Sequence, residues 1–267
     1  MRTRFAPSPT GYLHLGHVYS ALQCQALGGE MLLRFEDIDF TRVREEYYEA
    51  IVEDLAWMGI TFAHEPWRQL DRMHLYEQAL ERLKELGVVY PCFCTRKELM
   101  HHNLSAPHDD QVVLYNGHCK GMSETERMNK IADGVPYSWR LDSEKAQSLA
   151  GALTFTDERR GEIVVEAGVL GDVILARKDI KTSYHIAVVV DDAAQGITDV
   201  VRGADLFDST HVHRLLQALL ELPTPHYHHH DLICDEQGKR LAKRHHSLAV
   251  RTLREQGLSA AEVRARI

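Results

Sequence analysis

Residues 2–17 read RTRFAPSPTGYLHLGH. Arg2 to Ala6 form a short strand signal that breaks at Pro7-Ser8-Pro9-Thr10-Gly11, a turn rich in proline and glycine. His14-Leu15-Gly16-His17 comes next and opens a helical stretch that runs to about Leu27 and stops at Gly28-Gly29. A strand that turns directly into a helix start suits a nucleotide triphosphate, because the dipole and the free N–H groups of a helix N-terminus favour anions. Gly16 permits close approach of a purine or phosphate to the backbone. Two imidazoles three residues apart, His14 and His17, can donate hydrogen bonds to a phosphate whose charge grows in the transition state. Two surface histidines beside a helix cap are the plainer alternative, and the position directly after the first strand weighs against it.

The same rhythm continues outward. Residues 30–37 (EMLLRFED) read as a second strand with an acidic C-terminal end. Residues 44–58 put Tyr48, Ile51, Val52, Leu55 and Trp57/Met58 at helical spacing. Residues 70–86 form another amphipathic helix, and 88–93 (VVYPCF) another strand. Strand, helix, strand, helix, helix, strand predicts an α/β fold with a parallel sheet. Residues 92–135 break the pattern and read as an insertion. Strand signals return in PYSWRL, EIVVEAG, DVILAR, HIAVVVDD and ITDVVRG, between residues 136 and 203. A helix at 208–221, a strand at 227–234 (YHHHDLIC) and a charged helical end at 247–267 complete the chain. The expected division is 1–91 for the first half of the main domain, 92–135 for the insertion, and 136–267 for the rest of the insertion and the second half.

With 267 residues and 26% charged side chains, the chain is long enough to bury a core and too apolar to be disordered. The net charge of −8 argues against non-specific coating of nucleic acid, but not against a local basic face meeting one structured RNA. The 17 histidines move that balance towards positive below about pH 6.5. The sequence offers no apolar run of transmembrane length and no signal-peptide core, so no membrane partner is expected. Five cysteines, an odd number, fit a reducing cytoplasm better than a disulfide framework. No heptad seam suggests an obligate partner, and a monomer is expected.

Two further groups carry chemistry. Gly238-Lys239-Arg240-Leu241-Ala242-Lys243-Arg244 is a glycine-led cationic loop suited to a departing pyrophosphate, although an isolated basic run is more often a solvated loop. Cys92-x-Cys94 with Cys119 offers three thiolates to a tetrahedral structural zinc. His118, His101, His102 and His108 compete for the fourth place, and three buried free thiols are the alternative.

The pair HLGH and RLAKR, in this order on an α/β pattern, resembles the HIGH and KMSKS signatures of class I aminoacyl-tRNA synthetases. RFAPSPTGYLHLGH, LLRFEDID, VVVDDAAQGITDVVRGADL and GKRLAK together resemble the glutamyl-tRNA synthetase family through almost the whole chain. The chain ends 23 residues after Arg244, short of a long helical anticodon-binding region, and carries a CxC…YxxxC insertion. In both respects it is similar to the glutamyl-Q tRNA(Asp) synthetase family. That resemblance implies a Rossmann-like catalytic domain with a zinc-containing insertion and no anticodon-binding domain. It implies activation of L-glutamate with ATP and Mg2+, then transfer to queuosine in the anticodon of tRNA(Asp). Arg4, Ala6, Ser8, Glu36, Tyr184 and Arg202 match the family's glutamate contacts. His14, Gly16, His17 and Lys243 match its ATP contacts, and Tyr115 its unusual fourth zinc ligand. The residues agree in kind: arginine forks suit two carboxylates, and a buried carboxylate such as Glu36 suits an ammonium. HLGH is a mild swap. RLAKR keeps only Lys243 in place, and Ala242 removes a hydroxyl that could anchor the loop.

Charging of the 3′ end of tRNA(Glu) and a non-catalytic tRNA-binding paralogue are the rival readings. Retention of His14, His17 and Lys243 counts against the latter. Several other residues are expected to be structural. Cys24 and Cys234 read as packed thiols, Asp37 and Asp39 as solvated or capping, and Asp191-Asp192 as a turn or cap. His226 and His228–His230 lie in a strand, where adjacent side chains alternate faces and cannot converge on one metal ion.

Overall fold

The computed structural model describes residues 1–95, 98, 115, 117–233 and 249–267. β1 (Arg2–Phe5) and β2 (Glu30–Phe35) pair in parallel, with Arg2 beside Glu30 and Phe5 beside Leu33. Both are almost continuously buried, as strands covered on two faces must be. A parallel pair needs a crossover, and α1 (Leu15–Ala26) supplies it. α2 (Glu45–Trp57) leads to β3 (Trp67–Arg68), which is parallel to β2. A 3-10 turn over Gln69–Arg72 runs into α3 (Met73–Glu85).

β4 (Val89–Cys92), α4 (Glu124–Ala132), β5 (Ser138–Leu141), α5 (Ser143–Ala150), β6 (Thr154–Asp157), β7 (Gly161–Val164) and β8 (Ile174–Ala176) follow. β4, β5 and β8 form a small antiparallel sheet. The remainder is α6 (Tyr184–Ala194), β9 (Asp199–Gly203), α7 (Ser209–Leu219), β10 (His226–His230), α8 (Val250–Glu255) and α9 (Ala260–Arg264). β10 lies parallel between β9 and β6, and β7 closes that sheet as an antiparallel edge. Thr198 N–H donates to the Arg2 carbonyl at 2.9 Å, which brings β1 against the beginning of β9. The expected α/β fold with a parallel sheet is thus observed. One apolar core joins α1 and α2 to the two C-terminal helices through Val18, Ile51, Leu55, Val250 and Val263. A second packs α3, α5, α6 and α7 together through Leu83, Ala146, Ile186 and Leu215. Among the described residues no helix is long and apolar enough to cross a membrane.

One element reverses its expectation. HIAVVVDD reads as a strand, and it forms α6 instead. Short β-branched runs suit either state, and periodicity cannot arbitrate when every face is buried. Ile186, Ala187, Val188 and Val189 are all buried, so this helix shows no polar stripe to betray it. It ends at Gly196, whose φ of +64° fits a glycine just past a helix C-terminus. Asp191 and Asp192 therefore stand in the last turn of a buried helix, not in a turn or cap.

Candidate active site

Arg4, Ala6, Ser8, His14, Gly16, His17, Glu36, Tyr184 and Arg202 all line one cavity of about 450 Å³. Lys243, with Arg240 and the rest of its loop, lies outside the described residues, as do Cys234, His101, His102 and His108. The flanks of that loop are described. Leu232 and Ile233 line the cavity on one side of it. On the other, Ala249 makes an antiparallel bridge to His14, and Val250 N–H donates to the Leu13 carbonyl at 2.8 Å.

At the wall formed by the start of α1, two imidazoles cap a helix. His14 is the N-cap of α1, and its Nδ1 accepts from Gly16 N–H at 3.1 Å. His17 Nδ1 accepts in return from His14 N–H at 3.2 Å. The rings stack with centroids 3.7 Å apart. This is a capping box made of histidines, and it satisfies donors that the first turn otherwise leaves orphaned. Because both Nδ1 atoms accept, the hydrogen-bond pattern assigns the ring protons to Nε2, as donors. A Cβ on Gly16 would lie 3.1 Å from the His14 ring, so a side chain there would press on the cap itself.

The opposite wall is built from charges that are far apart in sequence. Asp192 Oδ1 accepts from Arg4 Nε at 2.9 Å and from Arg34 Nη2 at 2.7 Å. Arg34 is fully buried and also donates to Gln195 Oε1 at 2.8 Å. Asp191 accepts from Arg72 at 2.6 Å, Tyr76 at 2.7 Å and Gln69 at 3.1 Å. Burial opposes the charge on Arg4, and Asp192 more than restores it. Glu36 has no side-chain hydrogen bond among the described residues. Desolvation pushes its carboxyl up to about 7, against the pull of Arg34 and Arg4 and with repulsion from Asp192 and Asp191. A half-buried carboxylate with no hydrogen-bond partner among the described residues, at the cavity wall, is the acceptor an ammonium ion needs.

Arg202 is fixed by four groups. It donates to His229 Nε2 at 3.1 Å, His213 Nδ1 at 3.0 Å, Thr210 Oγ1 at 2.6 Å and the Tyr184 hydroxyl at 3.2 Å. The first two bonds require neutral imidazoles. His229 then keeps its proton on Nδ1, which faces Asp157 at 2.7 Å. His213 keeps its proton on Nε2, which faces His185 at 3.1 Å. Burial, then Arg202, pushes His185 and His229 down to about 4, and the same two causes hold His213 well below the usual imidazole value.

Sequence reasoning missed this supporting set. Arg34 inside an otherwise apolar strand was the one local signal for Asp192. Thr210, His213, His229 and Asp157 come together only in the fold. Asp37 is buried, not solvated: it accepts from the Tyr48 hydroxyl at 2.7 Å and from Leu70 N–H, in the 3-10 turn, at 2.9 Å. Cys24 is a buried free thiol, as expected.

A second cluster lies in the antiparallel region. Cys94 Sγ is 3.5 Å from Cys119 Sγ, and the Tyr115 hydroxyl is 3.5 Å from Cys92 Sγ and 3.8 Å from Cys94 Sγ. Thiolates bound to one tetrahedral zinc at about 2.3 Å sit about 3.8 Å apart, so the donor set fits such an ion. The Arg140 guanidinium stacks on the Tyr115 ring at 3.9 Å. Burial opposes ionisation of Cys92, yet Tyr115 and Arg140 lower its pKa overall. His118 is exposed and is not one of the converging residues.

The family model for the catalytic domain of class I tRNA synthetases (E and Q) matches residues 1–263. The chain belongs to this family. Among class I synthetases, a glutamyl-Q tRNA(Asp) synthetase of Rhodobacter capsulatus is 43% identical over 99% of this chain and 98% of its own length. A glutamate–tRNA ligase of Coprothermobacter proteolyticus is 35% identical over 96% of this chain. A glutamate tRNA ligase of Elizabethkingia meningosepticum, solved with its amino acid, superposes with a TM-score of 0.75 at 31% identity over 91% of this chain. The chain spans about half of those two ligases, 55% and 52% respectively.

Proposed function

We propose that this enzyme activates L-glutamate with ATP and transfers it to queuosine in the anticodon of tRNA(Asp). The supporting observation is the match, end to end in both chains, with a glutamyl-Q tRNA(Asp) synthetase at 43% identity. The cavity chemistry supports the first step. Glu36 receives the amino acid's ammonium, and Arg4 and Arg202 receive its two carboxylates, with Tyr184 beside Arg202 and the Ala6–Ser8 segment as floor. A glutamate carboxylate oxygen attacks the α-phosphorus of ATP. The bond to the bridging oxygen breaks, giving glutamyl-adenylate and pyrophosphate. The nucleophile comes with the substrate, so the protein supplies position and charge. The Nε2–H groups of His14 and His17 stabilise the phosphate at the start of α1, with Gly16 keeping that approach clear. Lys243 holds the departing phosphates; one flank of its loop, Leu232–Ile233, lines the cavity, and the other, Ala249, bridges to His14 at the cavity wall. Mg2+ accompanies the nucleotide.

In the second step a hydroxyl of the queuosine cyclopentene ring attacks the activated carbonyl, and AMP leaves. A neighbouring cavity of about 630 Å³ shares Ser8, Glu36, Arg42 and Tyr184 with the first and extends to Arg177 and Tyr115, a volume that suits an incoming nucleoside. Cys92, Cys94, Cys119 and Tyr115 would hold one structural zinc, which would fix the unit we assign to residues 92–135. The enzyme works as a cytoplasmic monomer. Loading of radiolabelled glutamate onto bulk tRNA tests the assignment. Label is expected on tRNA from cells that make queuosine and absent from tRNA of cells that lack it. Equal loading of both, on the 3′ end, would overturn it in favour of tRNA(Glu) charging.

A further inference from the structure

β10 carries the sequence HYHHH, and its two faces have separate roles. His229 faces Arg202, as described above. His226 and His228 stand two residues apart and share a face, so the alternation that keeps adjacent histidines apart does not separate this pair. His226 Nδ1 lies 3.1 Å from His228 Nε2. His228 Nε2 lies 3.0 Å from Asp199 Oδ1, at the start of the neighbouring strand β9. Glu158 Oε2, just past the end of β6, lies 3.9 Å from His226 Nδ1. Ligand atoms of Glu158, His226 and His228 all lie within 4.8 Å of one another.

His228 Nε2 faces both an aspartate oxygen and the Nδ1 of His226, so without a cation one N–H on His228 is shared between two acceptors. A cation among Glu158, His226 and His228 would replace that shared hydrogen bond with direct bonds from two ring nitrogens and a carboxylate oxygen. For metal bonds of about 2.0–2.2 Å to nitrogen and oxygen, tetrahedral neighbours stand about 3.4 Å apart, in the middle of the observed separations. The backbone prepares the site. Asp199 Oδ2 accepts from Thr198 Oγ1 at 2.6 Å, which turns Oδ1 towards His228. Glu158 N–H donates to the Tyr227 carbonyl at 2.8 Å, which ties its loop to β10.

We propose that Glu158, His226 and His228 form a second metal site, separate from the cysteine cluster, with the Asp199 carboxylate beside it. It takes a borderline first-row divalent ion such as Zn2+. Two imidazoles select against Mg2+ and Ca2+, and the lack of thiolate distinguishes the site from the first. An ion here would clamp the beginning of β10, the strand whose far end supplies His230 to the active-site wall.

The test is calorimetric titration of the full chain with Zn2+. Wild type should bind one more equivalent than His226→Gln or His228→Asn. Glu158→Gln should weaken that equivalent by at least the ~10–100-fold that loss of an outer-shell partner costs. Glu158 is 64% exposed at its side chain, so this variant keeps the fold even where a histidine variant does not. With Co2+ as probe, the near-ultraviolet thiolate absorption reports the cysteine cluster separately and should be the same in wild type and variants. Equal stoichiometry and affinity in wild type and all three variants would overturn the proposal. So would cobalt uptake accounted for wholly by the thiolate band.

Discussion

The two walls of the active cavity are built on different principles. The wall at the start of α1 is local: His14 and His17 are three residues apart and cap the helix with their own rings. The opposite wall is assembled at long range. Arg4 and Arg34 meet Asp192 across 188 and 158 residues, and Arg202 rests on Thr210, His213 and His229 from a helix and a neighbouring strand. Function and stability are therefore separable on the first wall and coupled on the second, where each positioning charge is also a buried charge that needs its partner.

Asp192→Asn is the severest test of that contrast. It leaves two buried guanidiniums short of one carboxylate, which should cost about 3 kcal/mol. In a chain of this size the melting temperature should fall by roughly 6–12 °C in calorimetry. Glutamate-dependent ATP–pyrophosphate exchange should fall with it, because Arg4 loses its anchor. A variant that melts like wild type would show that the second wall is not held by this pair.

Glu36→Gln should divide the two properties on the same wall. Loss of the ammonium acceptor should lower kcat/KM for glutamate in exchange by about 10²–10³-fold. Stability should move the other way. Folding raises the Glu36 carboxyl to about 7, so the native state binds this proton more tightly than the unfolded chain, and stability is lost as pH rises from the usual carboxylate range through 7. The variant should melt above wild type at pH 8 and alongside it at pH 5.

His14→Asn sharpens the comparison from the other side. Asparagine is a good N-cap, so the melting temperature should shift by the equivalent of less than about 1 kcal/mol. Exchange turnover should still fall about 10²-fold, as for other lost transition-state donors. A large loss of stability would mean that the first wall is no more separable than the second.

The smallest effect is in pH. With the Glu36 carboxyl at about 7, the ionised form falls about tenfold between pH 8 and pH 6. KM for glutamate should rise by about that factor while KM for ATP changes little. Below about pH 6.5 a separate loss of stability should follow. His229 and His185 are held at about 4 in the fold, so the unfolded chain takes up the extra protons and stability declines from 6.5 towards 4. Flat melting temperatures across that range would contradict the neutral-histidine support of Arg202.

Much of the cavity was legible because its motifs are local or carry a resemblance. RTRFAPSPTGYLHLGH fixes a strand, a turn and a capped helix within one stretch. Glu36 and Arg202 were legible through family segments, not through spacing. The misread element shows the limit. HIAVVVDD has no amphipathic period because neighbours cover it on all sides, so neither its helical state nor the duty of its two aspartates is written locally. His226 and His228 carry the same lesson in reverse: the period of a strand was read correctly, and the side chains across from it on β9 and after β6 could not be.

The amino-acid order by itself determined the α/β rhythm, the helix start that carries His14 and His17, and the family, since each depends on contacts within a few residues or on recognisable segments. The tertiary structure alone decided which acid holds Arg4, which imidazoles hold Arg202, and why Glu36 keeps its proton near neutrality. These properties arise from burial and from partners distant along the chain, and neither exists until the sheet and its helices have closed around them.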